Sequence, residues 1–163
     1  MKDSPDSAPE LRARALRLLA RREHSRAELA RKLAPRAENR EILEQLLDAL
    51  SAKRQLSDER FAEERARQLS RKYGAARIRL DLKAKGIDRE TIEKAAVLTL
   101  EEELERARQI LERKHRSPAT TAAERAKRAR FLLSRGFSHA AVRGALGKPA
   151  AAAVEETADV EER

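Results

Sequence analysis

Apolar residues recur along most of the chain at the three- and four-residue spacing of an amphipathic helix. Leu43, Leu46, Leu47 and Leu50 illustrate this pattern, since all four fall on one face of a helix. Short polar turns separate the segments that carry it. We therefore predict helices over residues 10–22, 25–35, 38–53, 57–73, 75–85, 88–98, 100–114, 121–135 and 138–147.

Three of the predicted helices begin with the same arrangement of residues. An apolar residue precedes a Ser or Asp, and a second apolar residue stands four positions after it. Such a hydrophobic staple fixes how the chain enters a helix. The three sets are Leu56, Ser57 and Phe61; Ile87, Asp88 and Ile92; and Phe137, Ser138 and Val142. Gly86 and Gly136 stand before two of these sets, where a glycine in the left-handed conformation ends the preceding helix.

The helices form three groups that are related by a period near 50 residues. Ile42, Ile92 and Val142 keep this spacing, and so do Gly86 and Gly136. A period of this length is typical of proteins built from repeated helical units. We predict an all-α fold of three tandem three-helix repeats that form an elongated, curved protein. The predicted division is a disordered tail at 1–9, repeats at 10–55, 56–99 and 100–147, and a disordered acidic tail at 148–163.

Composition narrows the class of protein. Charged residues make up 40% of the 163 positions and aromatic residues only 2%, and there is no cysteine. The lack of cysteine excludes a disulfide framework and cysteine-ligated zinc. No apolar run approaches the length of about 18 residues that crosses a bilayer. The polar first ten residues do not resemble a signal peptide, so we expect a cytoplasmic protein with no membrane partner.

The net charge of +9 is unevenly distributed along the chain. Residues 11–147 hold 34 basic and 20 acidic side chains, a net charge of +14, whereas both ends are acidic. This excess favours a polyanionic partner, either nucleic acid, an anionic membrane surface or an acidic protein. The alternative is an ordinary solvated helical surface that is rich in arginine.

The basic residues concentrate on and beside the middle helices of the second and third repeats. We predict that these side chains contact a polyanion such as DNA, without sequence preference. They are Arg71, Lys72, Arg77, Arg79, Lys83, Lys85, Arg125, Lys127, Arg128, Arg130 and Arg135. Tyr73 is the only aromatic residue outside expected staple or core positions. We therefore do not expect recognition by base stacking.

No pattern of residues indicates catalysis, and we predict that the protein is not an enzyme. The five glycines form no phosphate-binding loop. His24, His115 and His139 have no partners at metal-ligand spacing, so we expect exposed histidines at helix ends and neither a metal nor a cofactor. No pairing of a nucleophile with a base stands out.

Several stretches resemble the sequence patterns of the bacterial RecX regulatory proteins. Residues 56–62, LSDERFA, resemble the family signature L-x-D-x-x-F-A. Residues 15–29 are similar to the family's first-repeat pattern, and residues 74–87 and 132–138 to those of its second and third repeats. The resemblance covers residues 11–147. The first repeat departs from the pattern, because Pro-Arg-Ala replaces the glycine before its third helix.

The resemblance implies a fold of three tandem three-helix repeats and a role as a negative modulator of the RecA recombinase. Such proteins bind along the groove of the RecA–DNA filament and inhibit its ATPase, strand-exchange and co-protease activities, which links them to DNA repair, homologous recombination and the SOS response. The basic residues above would supply the filament contacts. The family's motif residues would be structural: Leu56, Asp58, Phe61, Ala62, Gly86, Ile87, Gly136 and Phe137.

Two other functions stay open at this point. A non-sequence-specific DNA-binding helical repeat protein would show the same basic surface, because three-helix units also occur in DNA-binding domains. A general helical scaffold is the third possibility. We expect a monomer in each case.

Overall fold

The computed structural model describes residues 5–147, which form nine α-helices, one 3-10 turn and no β-strand. The prediction of an all-α fold is confirmed, and the ends of the helices lie within three residues of their predicted positions. The helices are α1 (Ala8–Leu19), α2 (Arg26–Leu33), α3 (Arg40–Ala52), α4 (Asp58–Ser70), α5 (Ala75–Ala84), α6 (Arg89–Ala95), α7 (Leu100–Lys114), α8 (Ala122–Ser134) and α9 (His139–Leu146). The predicted acidic tail at 148–163 lies outside the described residues.

The turns before α6 and α9 have the geometry that their glycines predict. Gly86 has a φ of 79° and Gly136 a φ of 84°, both in the left-handed region. The residue after each glycine donates its amide to a carbonyl five residues earlier in the preceding helix, at 3.2 Å. This bond uses a carbonyl that the end of a helix leaves free. All six apolar residues of the three staples are buried.

The first repeat makes the corresponding turn without a glycine. A 3-10 turn, Ala34–Arg36, continues α2 and contains Pro35. The amide of Ala37 then donates to the carbonyl of Leu33 at 3.0 Å, and Ala37 has an extended conformation with a φ of −74°. Because no residue of this turn needs a positive φ, Pro-Arg-Ala can stand where the other repeats have glycine.

The helices pack into two compact units. Among the described residues, unit 1 comprises 5–68 and 79–96, and unit 2 comprises 69–78 and 97–147. A cluster of fully buried leucines fills one core of unit 1, including Leu11, Leu29 and Leu47. In unit 2, α7 packs against α9. The core there consists of Ala107, Ile110, Leu111, Leu132, Phe137 and Val142.

One hydrogen bond recurs at the turn before the third helix of every repeat. In each case the acceptor is the backbone carbonyl three residues before the N-cap of the third helix. The donor lies in a segment that comes earlier in the chain. The acceptors and donors are Arg36 with the amide of Asp6 (2.8 Å), Lys85 with the hydroxyl of Ser25 (2.7 Å), and Arg135 with the amide of Gly74 (2.9 Å). The segment before α1 thus contacts the first repeat in the same way that the first repeat contacts the second and the second contacts the third.

Candidate anion-binding surface

Several of the predicted contact arginines bind other groups of the chain. Arg125 donates to the carbonyls of Leu146 and Gly147 at 2.7 and 2.6 Å, and so satisfies the carboxyl end of α9. Arg128 donates to the carbonyl of Ser117 at 2.9 Å. These bonds hold the guanidinium groups in the fold. Nε of Arg79 lies 3.2 Å from a carboxylate oxygen of Glu93, which neutralises part of its charge.

Six of the predicted contact residues are exposed and form no ion pair with the described part of the chain. They are Arg71, Lys72, Arg77, Lys83, Lys127 and Arg130. Lys85 is half-buried, and its backbone carbonyl is used by Ser25. These six side chains are therefore the freest of the predicted cations to meet an anion.

Unit 2 contains a shallow groove whose charged residues are all basic. Its volume is about 360 Å³, and none of the described residues that line it is acidic. We call it the cation–aromatic groove, and define it by Arg71, Lys72, Ile110, Arg113, Lys114, Phe131 and Arg135. Arg113 and Lys114 belong to the last turn of α7, where the helix dipole favours positive charge.

Aromatic rings lie beside the cations of the groove. Nζ of Lys114 is 3.6 Å and Cζ of Arg135 is 4.5 Å from the ring centre of Phe131. Cζ of Arg135 is also 5.6 Å from the ring centre of Tyr73, and Cζ of Arg77 is 5.9 Å from it. All four distances fall within the range of cation–π attraction. The result is a connected series of three cations and two rings.

Backbone carbonyls hold two of the arginines of the groove. Arg113 donates to the carbonyl of Arg71 at 3.3 Å, and Arg135 donates to the carbonyl of Lys72 at 3.1 Å. These bonds tie the ends of α7 and α8 to the turn that follows α4. Arg113 and Arg135 are thus ordered by contacts to backbone carbonyls that use only some of the five N–H donors of each guanidinium.

Sequence reasoning found three charged residues of the groove and the adjacent Arg77, and it missed two further cations and one ring. Arg71, Lys72, Arg77 and Arg135 were predicted contacts, whereas Arg113, Lys114 and Phe131 were not. Phe131, which the sequence pattern assigned to the core, packs against the core of unit 2 but is only half-buried and also lines the groove. The neighbouring Leu132 is fully buried, so helical spacing alone did not separate the two.

The described part of the chain shows no group of three or more His, Asp or Glu side chains that could hold a metal ion. The expectation of exposed histidines is wrong for His24, which is 2% exposed, and for His115, which is half-buried; His139 is exposed. Nδ1 of His24 lies 3.0 Å from the carbonyl of Arg22, to which it donates. Burial lowers the pKa of His24 below its ordinary value, so the neutral form is favoured in the folded protein.

We expect stability to fall as the pH drops below about 6.5, because the unfolded chain then binds a proton that the buried His24 resists. The effect of one such group is at most about 1.4 kcal/mol per pH unit. His24→Gln should remove most of this dependence, measured by urea unfolding at pH 7.5 and 5.5. His139→Gln, which changes an exposed histidine, is the matched control. The same pH dependence in His24→Gln as in the unaltered protein would contradict the assignment.

Three family models match the chain in sequence order. The model described as "RecX, first three-helix domain" matches residues 12–50, that of the second three-helix domain matches residues 57–95, and that of the third matches residues 101–146. Together they cover most of the chain. The protein belongs to the RecX family. The prediction of three tandem three-helix repeats is thereby confirmed, while the finer boundaries at residues 55, 99 and 147 stay predictions.

The similarity to known RecX proteins extends over most of the chain. The "Regulatory protein RecX" of Herminiimonas arsenicoxydans is 43% identical over 136 residues, which are 83% of this chain and 90% of the relative. That of Herbaspirillum seropedicae is 47% identical over 135 residues, 83% of this chain and 88% of the relative. The crystal structure of RecX from Lactobacillus salivarius superimposes with a TM-score of 0.72 at 22% identity, over 83% of this chain and 91% of that one, and so shows the same fold.

The RecX motif residues lie in turns and at helix starts. Leu56, Phe61, Ala62, Ile87 and Phe137 are buried. Asp58 is half-buried, and its carboxylate accepts a hydrogen bond of 2.7 Å from the amide of Arg26, at the start of α2. Burial raises the pKa of Asp58. The structural role of the motif stays a prediction, which the Phe61 variants below test.

One further observation concerns membranes. Within residues 5–147 of this RecX protein, no helix has both the length and the apolar character that crossing a bilayer requires.

Proposed function

We propose that this RecX family protein is a negative modulator of RecA. In this proposal it binds along the groove of the RecA–DNA filament and inhibits ATPase, strand exchange and co-protease activity. The observation that carries the proposal is the set of exposed, unpaired cations on α5 and in unit 2 of a chain that matches all three RecX domains. Family membership supports RecA as the partner, and the free cations support a polyanionic target.

The chemistry of a protein–DNA filament suits such a surface. A filament presents phosphates and acidic side chains at regular intervals, and Arg and Lys bind both. A chain with several cationic segments makes its second and later contacts as intramolecular events, so weak contacts add up to strong binding. Binding that favours one filament conformation shifts its population. ATP hydrolysis and strand exchange would then fall together.

The first experiment measures RecA ATPase on preformed filaments at stoichiometric amounts of this protein. We expect inhibition at concentrations where binding to naked DNA is barely detectable. Unchanged ATPase activity and unchanged filament length would contradict the proposal. Tight binding to naked DNA together with unchanged ATPase would instead favour a general DNA-binding protein.

Charge reversal on α5 gives the residue-level prediction. Arg77→Glu combined with Lys83→Glu should raise the inhibition constant at least about tenfold, because two exposed cations become anions that a polyanionic filament repels. Arg79 is left unchanged, since it already pairs with Glu93. Inhibition constants come from ATPase titrations at fixed salt, with helix content followed by circular dichroism.

The matched control reverses two exposed cations at the ends of α3. Arg40→Glu combined with Lys53→Glu makes the same change in net charge, on residues outside the proposed contact set. We expect its inhibition constant to stay within about threefold of the unaltered protein, since general repulsion is screened by salt. Equal losses in both double variants would move the contact away from α5.

A further inference from the structure

We infer that the cation–aromatic groove of unit 2 binds the sugar–phosphate backbone of nucleic acid, and that Phe131 and Tyr73 are positioning residues that hold its cations in place. This adds a nucleic-acid contact to the proposed function and does not depend on RecA. Its test therefore needs no recombinase.

The charge of the groove is the first step of the argument. Its lining holds Arg71, Lys72, Arg113, Lys114 and Arg135, and none of the described lining residues is acidic. Cations at such proximity repel one another, and a bound anion offsets that repulsion. Several cations elsewhere in the chain have acidic partners, as Arg65 has in Asp81 at 2.8 Å. The groove therefore has the charge imbalance of a site that an external anion completes.

The order of the cations is the second step. Free Arg and Lys side chains lose much rotamer freedom when they bind a ligand, which weakens binding. Here Lys114 and Arg135 rest beside the ring of Phe131, and Arg135 also donates to the carbonyl of Lys72. Tyr73 contributes a second ring between Arg135 and Arg77. Lys114 and Arg135 are therefore held in place before any ligand arrives, whereas the side chains of Arg71 and Lys72 stay free to adjust.

The position of the cations also selects the part of the nucleic acid that binds. Cations already lie over the rings of Phe131 and Tyr73, so these faces are engaged and do not offer platforms for bases. The N–H groups that remain free suit phosphate oxygens. Contacts to phosphates carry no sequence information. A connected series of cations also matches a polymer with one negative charge per residue better than it matches a single carboxylate.

The experiment measures the binding of the full chain to a labelled thymidine 20-mer by fluorescence anisotropy, over a series of salt concentrations and without RecA. Each phosphate contact contributes about 0.7 to the slope of log K against log salt for single strands. Lys72→Gln combined with Lys114→Gln should make this negative slope less steep by about 1.4. The affinity should fall at least about tenfold.

The matched control removes two exposed cations of unit 2 that lie outside both the groove and the predicted contact set. Arg108→Gln on α7 combined with Arg143→Gln on α9 makes the same charge change in the same unit. We expect its slope to change by less than about 0.5, because these residues do not line the groove. A control that loses as much affinity and slope as the groove variant would overturn the inference.

The role of Phe131 has its own signature. Phe131→Leu keeps every charge, so the slope should stay unchanged while the affinity falls about three- to tenfold, because Lys114 and Arg135 lose the ring that holds them. Phe131→Tyr keeps a ring and should bind like the unaltered protein. Thermal unfolding of each variant shows that the fold persists. Unaltered affinity in Phe131→Leu, or a lower slope in it, overturns the positioning role.

Competition separates the possible anions. Polyglutamate at the same charge concentration should displace the oligonucleotide much less effectively than an unlabelled strand does. Equal displacement would identify an acidic-protein site and overturn the assignment to nucleic acid. If the groove variants bind DNA normally and the unaltered protein inhibits RecA, only this inference fails. If DNA binding is lost as expected while the unaltered protein does not affect RecA, only the proposed function fails.

Discussion

Phe61→Ala is expected to lower the free energy of unfolding by about 3–5 kcal/mol, the usual cost of removing a buried phenylalanine side chain. The ring is 4% exposed and forms the inner end of the staple that begins α4. Its loss leaves a cavity and loosens the partner Leu56, which is 3% exposed. Urea unfolding followed by circular dichroism measures the change.

Phe61→Leu is the control, since it refills most of the volume and should cost less than about 1.5 kcal/mol. The RecA assay decides between a structural and a contact role. Inhibition per folded molecule should be unchanged in Phe61→Leu. A stability loss below about 1 kcal/mol in Phe61→Ala, together with lost inhibition in Phe61→Leu, would assign this RecX motif residue to the binding surface.

Gly74→Ala is expected to cost about 3 kcal/mol, at the upper end of overpacking effects. An added Cβ would stand 2.5 Å from the carbonyl carbon of Gly136 and from the amide nitrogen of Phe137, and nearer still to the carbonyl oxygen of Gly136. These are backbone atoms that cannot rotate away. The hydrogen bonds from the amides of Gly74 and Ala76 to the α8–α9 turn would be disrupted as well.

The sign of this effect is informative, because Gly74 does not need a positive φ. Without the close approach, alanine would stabilise the protein by about 0.4–1 kcal/mol through the unfolded chain. Gly144→Ala is the control. The atoms nearest to its Cβ would belong to the Leu104 side chain, whose Cδ1 would stand 2.8 Å away and can move aside. We expect a change of less than about 1 kcal/mol there. Equal effects at both glycines would contradict the backbone contact.

Local patterns predicted the helices and their turns because the interactions that form them are local. The staple at Ile87 and the φ of Gly86 depend on residues within one or two helical turns. The family resemblance then named the repeats. The charge pattern predicted a cationic surface on particular helices. It could not separate Arg125 and Arg128, which are hydrogen-bonded to backbone carbonyls, from cations that are free.

Features that depend on distant parts of the chain were not predictable. The role of Gly74 arises from residues about 60 positions later. The groove joins the end of α7 to the turn after α4, and neither segment carries a sign of the other. His24 looked like a surface histidine, because nothing in its neighbourhood shows that the fold covers it. Each of these is a tertiary effect without a local signature.

The hydrogen bond that recurs at Arg36, Lys85 and Arg135 bears on how such a chain can change its length. A repeat carries the acceptor for the segment before it and the donor for the repeat after it. A duplicated repeat therefore contains both the donor and the acceptor of the contact, whereas the insertion of a single helix separates them. Viable length variants should accordingly differ by whole repeats of about 50 residues. We expect these to be added after the first repeat, whose acceptor the segment at Asp6 already occupies.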